Sequence, residues 1–443
     1  MTILAEPATG LAPDESEVGS VFVSNYPPFS FWKPEHVPAA EAALAAPPRP
    51  GVDLGLYLHV PFCRKRCKFC YFRVYTDKNS GEIGMYLDAL AREVEGYAAR
   101  PAVAGRPLRF VYVGGGTPSF LSVAQLETLA ARLEAAISWD GAEEVTFECE
   151  PGTLSQPKLE AIRALGVTRL SLGIESFEDE ILRENGRAHV TKEIERCLPW
   201  IRELGFPQLN VDLIAGMVGE TWESWRRTVA RTIEVEPDSV TIYQLELPFN
   251  TRYASSLRDG SLERPLATWE EKREWHAYAM DELAAAGFEP SSAYTMVRAG
   301  RGVKFVYRNS VWNGCDLIGT GVASFGHLNG VHVQNVDGWG EYVGRLREGL
   351  SPVGRAYPTS ERERLTRELL LQLKLGEVPV GPFRQKFGVD VREAFAPALA
   401  RLAARGMLAI DGETIRLTRE GLLRVDSLLP ELYDPEFRGA RYT

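Results

Sequence analysis

The chain has 443 residues, 45% hydrophobic and 25% charged, enough for a large core and a further unit. Its formal net charge of −10 argues against nucleic acid as a partner, because affinity for the phosphate backbone rests on clustered Lys and Arg. No apolar run is long enough for a membrane span and no charged-then-apolar leader opens the sequence, so a soluble, cytoplasmic protein is expected.

Residues 1–52 are rich in Pro, Ala and Gly, with an aromatic segment Tyr26-Pro-Pro-Phe-Ser-Phe-Trp32, and read as an arm. Aromatic side chains need somewhere to bury, so Phe29, Phe31 and Trp32 are expected against the main body. From Leu54 onward, short apolar runs alternate with amphipathic segments. Strands are predicted at Leu54–Val60, Phe110–Gly114, Glu144–Glu148, Arg169–Ile174, Gln208–Ile214 and Ser239–Leu245. Helices are predicted at Ile83–Ala99, Val123–Ile137, Gln156–Leu165, Thr191–Leu204 and Thr221–Glu234. Gly166 and Gly205 stand where a helix C-cap wants positive φ. Repeated βα units of this kind predict an α/β fold, a partial (β/α)6 barrel over residues 53–290. Residues 291–358 are expected to extend or connect it. Residues 359–443 are expected to form a C-terminal winged-helix-like module, with a hairpin over Met407–Leu417 turning at Asp411-Gly412. Residues 361–443 carry 14 Lys/Arg and 13 Asp/Glu and show no basic stripe, so a lid or substrate-facing cap fits this module better than a DNA reader.

Barrel and open-sheet enzymes place ligands at the carboxyl ends of their strands, and polar residues gather there. Cys63, Cys67 and Cys70 follow the first strand, Gly114 to Thr117 the second, Glu148 and Glu150 the third, Glu175 and Ser176 the fourth, Asp212 the fifth and Gln244 the sixth. Thiolates select iron–sulfur clusters, zinc or copper(I). Three of them on a four-iron cluster would leave one iron free to hold a substrate. A zinc site would need a fourth ligand such as His59, and six cysteines in 443 residues are too few for a disulfide framework. Cys149, Cys197 and Cys315 read as ordinary buried thiols. The Arg64-Lys-Arg66 triplet is either a solvated loop or a contact for an anionic cluster, an electron donor or a carboxylated substrate.

The C-x3-C-x2-C spacing with Gly114-Gly-Gly-Thr-Pro118 resembles the radical SAM superfamily. Tyr57-Leu-His-Val-Pro-Phe-Cys63, Phe147-Glu-Cys-Glu-Pro-Gly152, Ser171-Leu-Gly-Ile-Glu-Ser-Phe177, Gly186-Arg-Ala-His189 and Asn210-Val-Asp-Leu-Ile-Ala-Gly216 narrow the resemblance. They are similar to the group around oxygen-independent coproporphyrinogen III dehydrogenase, which also includes heme chaperones, heme-degrading enzymes and the class C radical SAM methyltransferases. The resemblance implies a barrel of the radical SAM type and a 4Fe-4S cluster on Cys63, Cys67 and Cys70, shielded by Phe69. S-adenosylmethionine (SAM) would be held by Gly114, Gly115, Thr117, Glu148, Glu175, Arg187, Asp212, Tyr57 and Ile214, with Glu175 and Tyr57 as the catalytic candidates. It also implies a small-molecule substrate and an external electron donor such as flavodoxin or ferredoxin. Three departures stand out: Glu175 where the group has glutamine, Cys70-Tyr71-Phe72 in place of Cys-Gly-Cys, and only Asn25-Tyr-Pro27 of a longer aromatic arm motif. On these grounds the expected reaction is methyl or methylene transfer to an unactivated carbon with two SAM molecules. Oxidative decarboxylation of coproporphyrinogen III and a non-catalytic heme chaperone are the alternatives.

Overall fold

Period-two alternation sets up the sheet that carries everything else. In a computed structural model, which describes residues 21–440, the six runs become parallel strands β1 (Leu54–Val60), β2 (Leu108–Gly115), β3 (Glu144–Cys149), β4 (Arg169–Glu175), β5 (Gln208–Ala215) and β6 (Ser239–Gln244). Residues 1–20 of the expected arm and 441–443 of the expected C-terminal module lie outside the described residues. One set of alternate residues, among them Leu56, Leu58, Val111, Phe147, Leu170, Leu172, Val211 and Ile242, joins the core with the apolar faces of the intervening helices. The other set is polar and turns away from the helices, because successive side chains of a strand point to opposite faces. It includes Thr146 and Glu148 on β3, Ser171 and Glu175 on β4, Asn210 and Asp212 on β5, and Thr241 and Tyr243 on β6.

The helices begin where their caps begin. The helix after β1 starts at Ser80, ahead of the apolar pattern at Ile83, because Asn79 and Glu82 form a reciprocal capping box. Gly166 (φ +77°) and Gly205 (φ +59°) take the left-handed conformation expected of them.

The sheet runs beyond six strands. Its order is β12-β11-β10-β9-β1-β2-β3-β4-β5-β6-β8-β7, where β7 is Phe288–Pro290, β8 Thr295–Arg298, β9 Asp316–Thr320, β10 Phe325–Leu328, β11 Val331–Asn335 and β12 Val353–Pro358. The order is linear and its two ends do not pair, so the barrel is open, as expected. A seventh parallel strand, β9, lies beside β1. That pairing joins residues about 260 positions apart and has no local signature.

The arm is pinned rather than loose. Lys33 and Ala356 exchange backbone hydrogen bonds of 3.0 Å, which covers the edge of β12. Trp32 is 2% exposed and stacks flat on His332, with 4.9 Å between ring centroids. Phe29 meets Phe325, Phe31 meets Phe437 and Tyr26 meets Tyr433. Val37–Ala45 is a helix that the Pro- and Ala-rich composition had not led us to expect; its alanines favour helix once Pro38 has opened it.

The C-terminal segment has its own core, in which Leu369, Phe383, Leu399 and Ile415 take part. The helix Glu361–Leu373 leads into shorter helices and a three-stranded sheet. In its hairpin Asp411 pairs with Thr414, so the two-residue turn is Gly412-Glu413, one position later than the sequence suggested; Gly412 supplies the positive φ of 55°. No described helix is long and apolar enough to cross a membrane.

Candidate active site on the polar face of the sheet

The cysteine loop leaves the end of β1 and is held at its stem. Cys63 N donates to Tyr75 O at 3.1 Å and Tyr75 N to Pro61 O at 2.7 Å. Its middle is tied down as Lys68 N donates to Asn185 O and Tyr253 N to Lys68 O. The three thiols are unpaired and partly buried. Burial pushes the Cys63 thiol up to about 12 and the Cys70 thiol up to about 11, and the neighbouring cysteines add to both shifts. Phe69 turns toward an apolar patch containing Ile181, Ile214, Met217 and Tyr253, which brings Ile214 beneath the loop.

The glycine-rich turn after β2 locks onto this stem. Gly116 N donates to Val60 O at 2.9 Å and Thr117 N to Phe62 O at 2.8 Å. The Thr117 hydroxyl reaches Cys63 Sγ at 3.3 Å. A Cβ on Gly116 would stand 2.9 Å from three backbone atoms of residues 60–62, and one on Gly115 (φ +112°) would enter the His59 ring at 2.4 Å. A Cβ on Gly114 would lie 2.9 Å from the Glu148 carboxyl. Much of the need for glycine here is therefore protein against protein.

Four acidic or basic groups meet on the polar face. Glu148 accepts from Tyr112 Oη at 2.6 Å and Gly115 N at 3.0 Å, and burial raises it to about 7. Asp212 accepts from Ser171 Oγ at 2.8 Å and Asn210 Nδ2 at 2.9 Å; burial raises it too. Arg187 donates to Gly173 O at 2.7 Å and to Cys67 Sγ at 3.4 Å. Glu175 stands 3.5 Å from Arg187 with φ of +67°, at a register shift between β4 and β5. Burial, reinforced by Asp212 and Glu148 and opposed by Arg187, raises Glu175 to about 7. Tyr57 hydrogen-bonds His59 Nδ1 at 3.1 Å and stacks near Tyr112; burial draws His59 down to about 4.

Residues 57–231 match the radical SAM superfamily model, and residues 359–424 match the HemN C-terminal domain. The chain thus carries a radical SAM domain, which holds the cysteine loop, and a HemN C-terminal domain. Among curated relatives, it is 28% identical over 412 residues to the oxygen-independent coproporphyrinogen III oxidase of Pseudomonas aeruginosa, covering 89% of this chain and 88% of that one. It is 27% identical over 370 residues to the heme chaperone HemW of Bacillus subtilis, covering 83% of this chain and 96% of that one. The solved structure of the radical SAM enzyme coproporphyrinogen III oxidase from Escherichia coli shares the fold at a TM-score of 0.81, with 24% identity over 93% of this chain and 96% of that one.

The donor set suits the cofactors of a radical SAM protein. Three thiols on one loop, with Arg187 beside Cys67, match a soft, anionic metal cluster. Among the described residues no group of three or more His, Cys, Asp or Glu side chains is already set to hold a metal ion. Arg66 Nε, Arg187 Nε and His59 Nε2 are buried without hydrogen-bond partners, which leaves polar capacity around the cysteine loop. Carboxylates at Glu148, Glu175 and Asp212 can meet hydroxyl and ammonium groups, and Arg187 a carboxylate. Glu150, named in the sequence only as a polar strand end, instead binds His189 Nδ1 at 2.7 Å and Gly152 N at 2.9 Å, which fixes the segment carrying Arg187. Gln244 meets His276. Tyr112, Ser171 and Asn210 were not singled out as site residues; period-two alternation on β2, β4 and β5 was the signal that could have found them.

Proposed function

We propose that the chain uses SAM to abstract a hydrogen atom from a propionate side chain of a tetrapyrrole, the oxidative decarboxylation of coproporphyrinogen III. The carrying observation is the oxidase relative aligned over 412 residues, most of both chains. It supports hydrogen abstraction ahead of the methyl or methylene transfer expected from the sequence. When bound, a 4Fe-4S cluster on Cys63, Cys67 and Cys70 would supply the electron that cleaves the sulfonium of SAM to a carbon radical. Arg187 would bind the SAM carboxylate, Glu148 and Asp212 its hydroxyl or ammonium groups, and Gly114, Gly115 and Thr117 would shape the wall beside it. Glu175, close to half ionised near neutrality, would set the charge that Arg187 feels, and Tyr57 would line the same wall.

Tyr71 and Tyr243 are 43% and 45% exposed, and Asp212, Glu148, Glu175 and Arg169 act electrostatically on the Tyr243 hydroxyl, so the polar face has an opening to solvent at these rings. The C-terminal segment reaches this opening, as Gln244 Nε2 donates to Leu423 O at 3.4 Å, which supports its reading as a cap. A reduced carrier such as flavodoxin or ferredoxin would deliver electrons, and a reducing cytoplasm suits free thiols.

A second reading, heme chaperone, is favoured by the Bacillus relative, 96% of which aligns with this chain. Anaerobic reconstitution followed by SAM, dithionite and coproporphyrinogen III separates the readings. We expect 5′-deoxyadenosine and carbon dioxide, with two methionines released per divinyl product. Heme binding without either product supports the chaperone, and S-adenosylhomocysteine would restore methyl transfer.

A further inference from the structure

Two buried arginines at the far end of the polar face stand in no ion pair among the described residues. Arg169 is the first residue of β4, at the end of the strand remote from the cysteine loop, and is 2% exposed. Arg308 lies on the helix Val306–Trp312 and is 5% exposed. Both guanidiniums lie against Phe305, at 3.9 and 5.6 Å from its ring centroid. The Nη1 atom of each is buried with no hydrogen-bond partner, and neither is ion-paired among the described residues. Arg308 spends its other nitrogens on Ser291 and Asn309; Arg169 has no such contacts.

The nearby acids act on the pair only through space, Asp212 and Glu148 on Arg169 and Glu144 on Arg308, and direct their hydrogen bonds elsewhere. Glu144 accepts from Val306 N, Tyr307 N and Thr146 Oγ1, Asp212 from Ser171 and Asn210, and Glu148 from Tyr112 and Gly115. Leaving a buried charge-bearing donor unsatisfied is destabilising, and two such groups side by side repel. Arg308 is drawn down to about 9, by burial first and Arg169 second. Tyr243, 45% exposed, is within electrostatic reach of both.

We infer that Arg169 and Arg308 form a receptor for a carboxylate of the substrate, separate from the Arg187 position beside the cysteine loop. An arginine pair with free Nη1 atoms suits planar bidentate recognition of a carboxylate. Arg169 and Glu175 are six residues apart on β4, about 20 Å. A ligand held by the pair must therefore be macrocycle-sized to present its far edge near the cysteine loop. This inference rests on the tetrapyrrole reading above and assigns one propionate to the pair.

The test is fluorescence titration of the reconstituted protein with coproporphyrin III and with its tetramethyl ester, which keeps the ring and removes the charge. The wild-type chain should bind the acid at least about tenfold more tightly, the effect of one charge-assisted contact. Arg308→Gln should reduce that preference, with Arg169 left to hold the remainder, and Arg308→Lys should reduce it less. Equal binding of acid and ester by the wild type, a comparison that needs no variant, overturns the inference while leaving the tetrapyrrole reading intact; so does an undiminished preference in a folded Arg308→Gln. Binding of neither porphyrin overturns both.

Discussion

The carboxylate of Glu175 stands 3.5 Å from the guanidinium of Arg187, and the same guanidinium donates to the sulfur of Cys67 at 3.4 Å. One cation thus connects the cysteine loop to the strained end of β4, and changes at either residue should be felt at the other.

Arg187→Lys keeps the charge and loses the planar fork that serves Gly173 O and Cys67 Sγ together. SAM affinity should fall about tenfold or more, with cluster iron near the wild-type level. Anaerobic equilibrium dialysis with labelled SAM measures it. Unchanged affinity would remove Arg187 from the SAM site.

Glu175 titrates near 7 because burial raises it. Below that value it is neutral and Arg187 is free for the SAM carboxylate; above it the ionised carboxylate competes for the same guanidinium. The Glu175 contribution to SAM affinity should therefore weaken as pH rises through about 7, on top of the dependence that Glu148, raised to the same range, gives wild type and variant alike. Glu175→Gln should remove the Glu175 contribution and bind SAM more tightly than wild type on the alkaline side. An identical pH profile in both proteins would show that Glu175 does not govern Arg187.

Gly116→Ala would place a Cβ 2.9 Å from backbone atoms of Val60, Pro61 and Phe62, which cannot rotate away. We expect a loss of about 1–3 kcal/mol and lower iron incorporation, because the displaced strand end carries Cys63. Gly141→Ala, with nothing within 4 Å of its Cβ, is the control and should leave melting temperature and iron content unchanged. Parallel behaviour of the two variants would contradict this account of the turn.

Glu93 is buried between the helix Ser80–Ala98 and the strands β9 to β11, accepting from Gly321 N, Asn335 Nδ2 and Tyr342 Oη. Burial lifts it from 4.5 to about 7. Its contribution to stability is full below the unfolded value of 4.5 and declines until the pH passes about 7. Glu93→Gln cannot titrate, so the stability gap between wild type and variant should shift toward the variant by up to about 3 kcal/mol across that window. Melting curves on either side of it measure the shift, and a gap independent of pH would refute the assignment.

The sequence by itself determined the βα alternation, the helix ends at Gly166 and Gly205, and the cysteine triplet with its glycine-rich partner turn. These are local properties: side-chain period, backbone freedom and ligand spacing are all written within a few residues. Only the tertiary structure decided that Gly116 faces the backbone of β1, that β9 lies beside β1, that Trp32 stacks on His332, and that Arg187 reaches Cys67. It alone brought Arg169 and Arg308 to one phenylalanine outside any ion pair among the described residues. Such contacts join residues tens to hundreds of positions apart, where burial and electrostatics depend on which faces the folded sheet brings together, a quantity no local pattern carries.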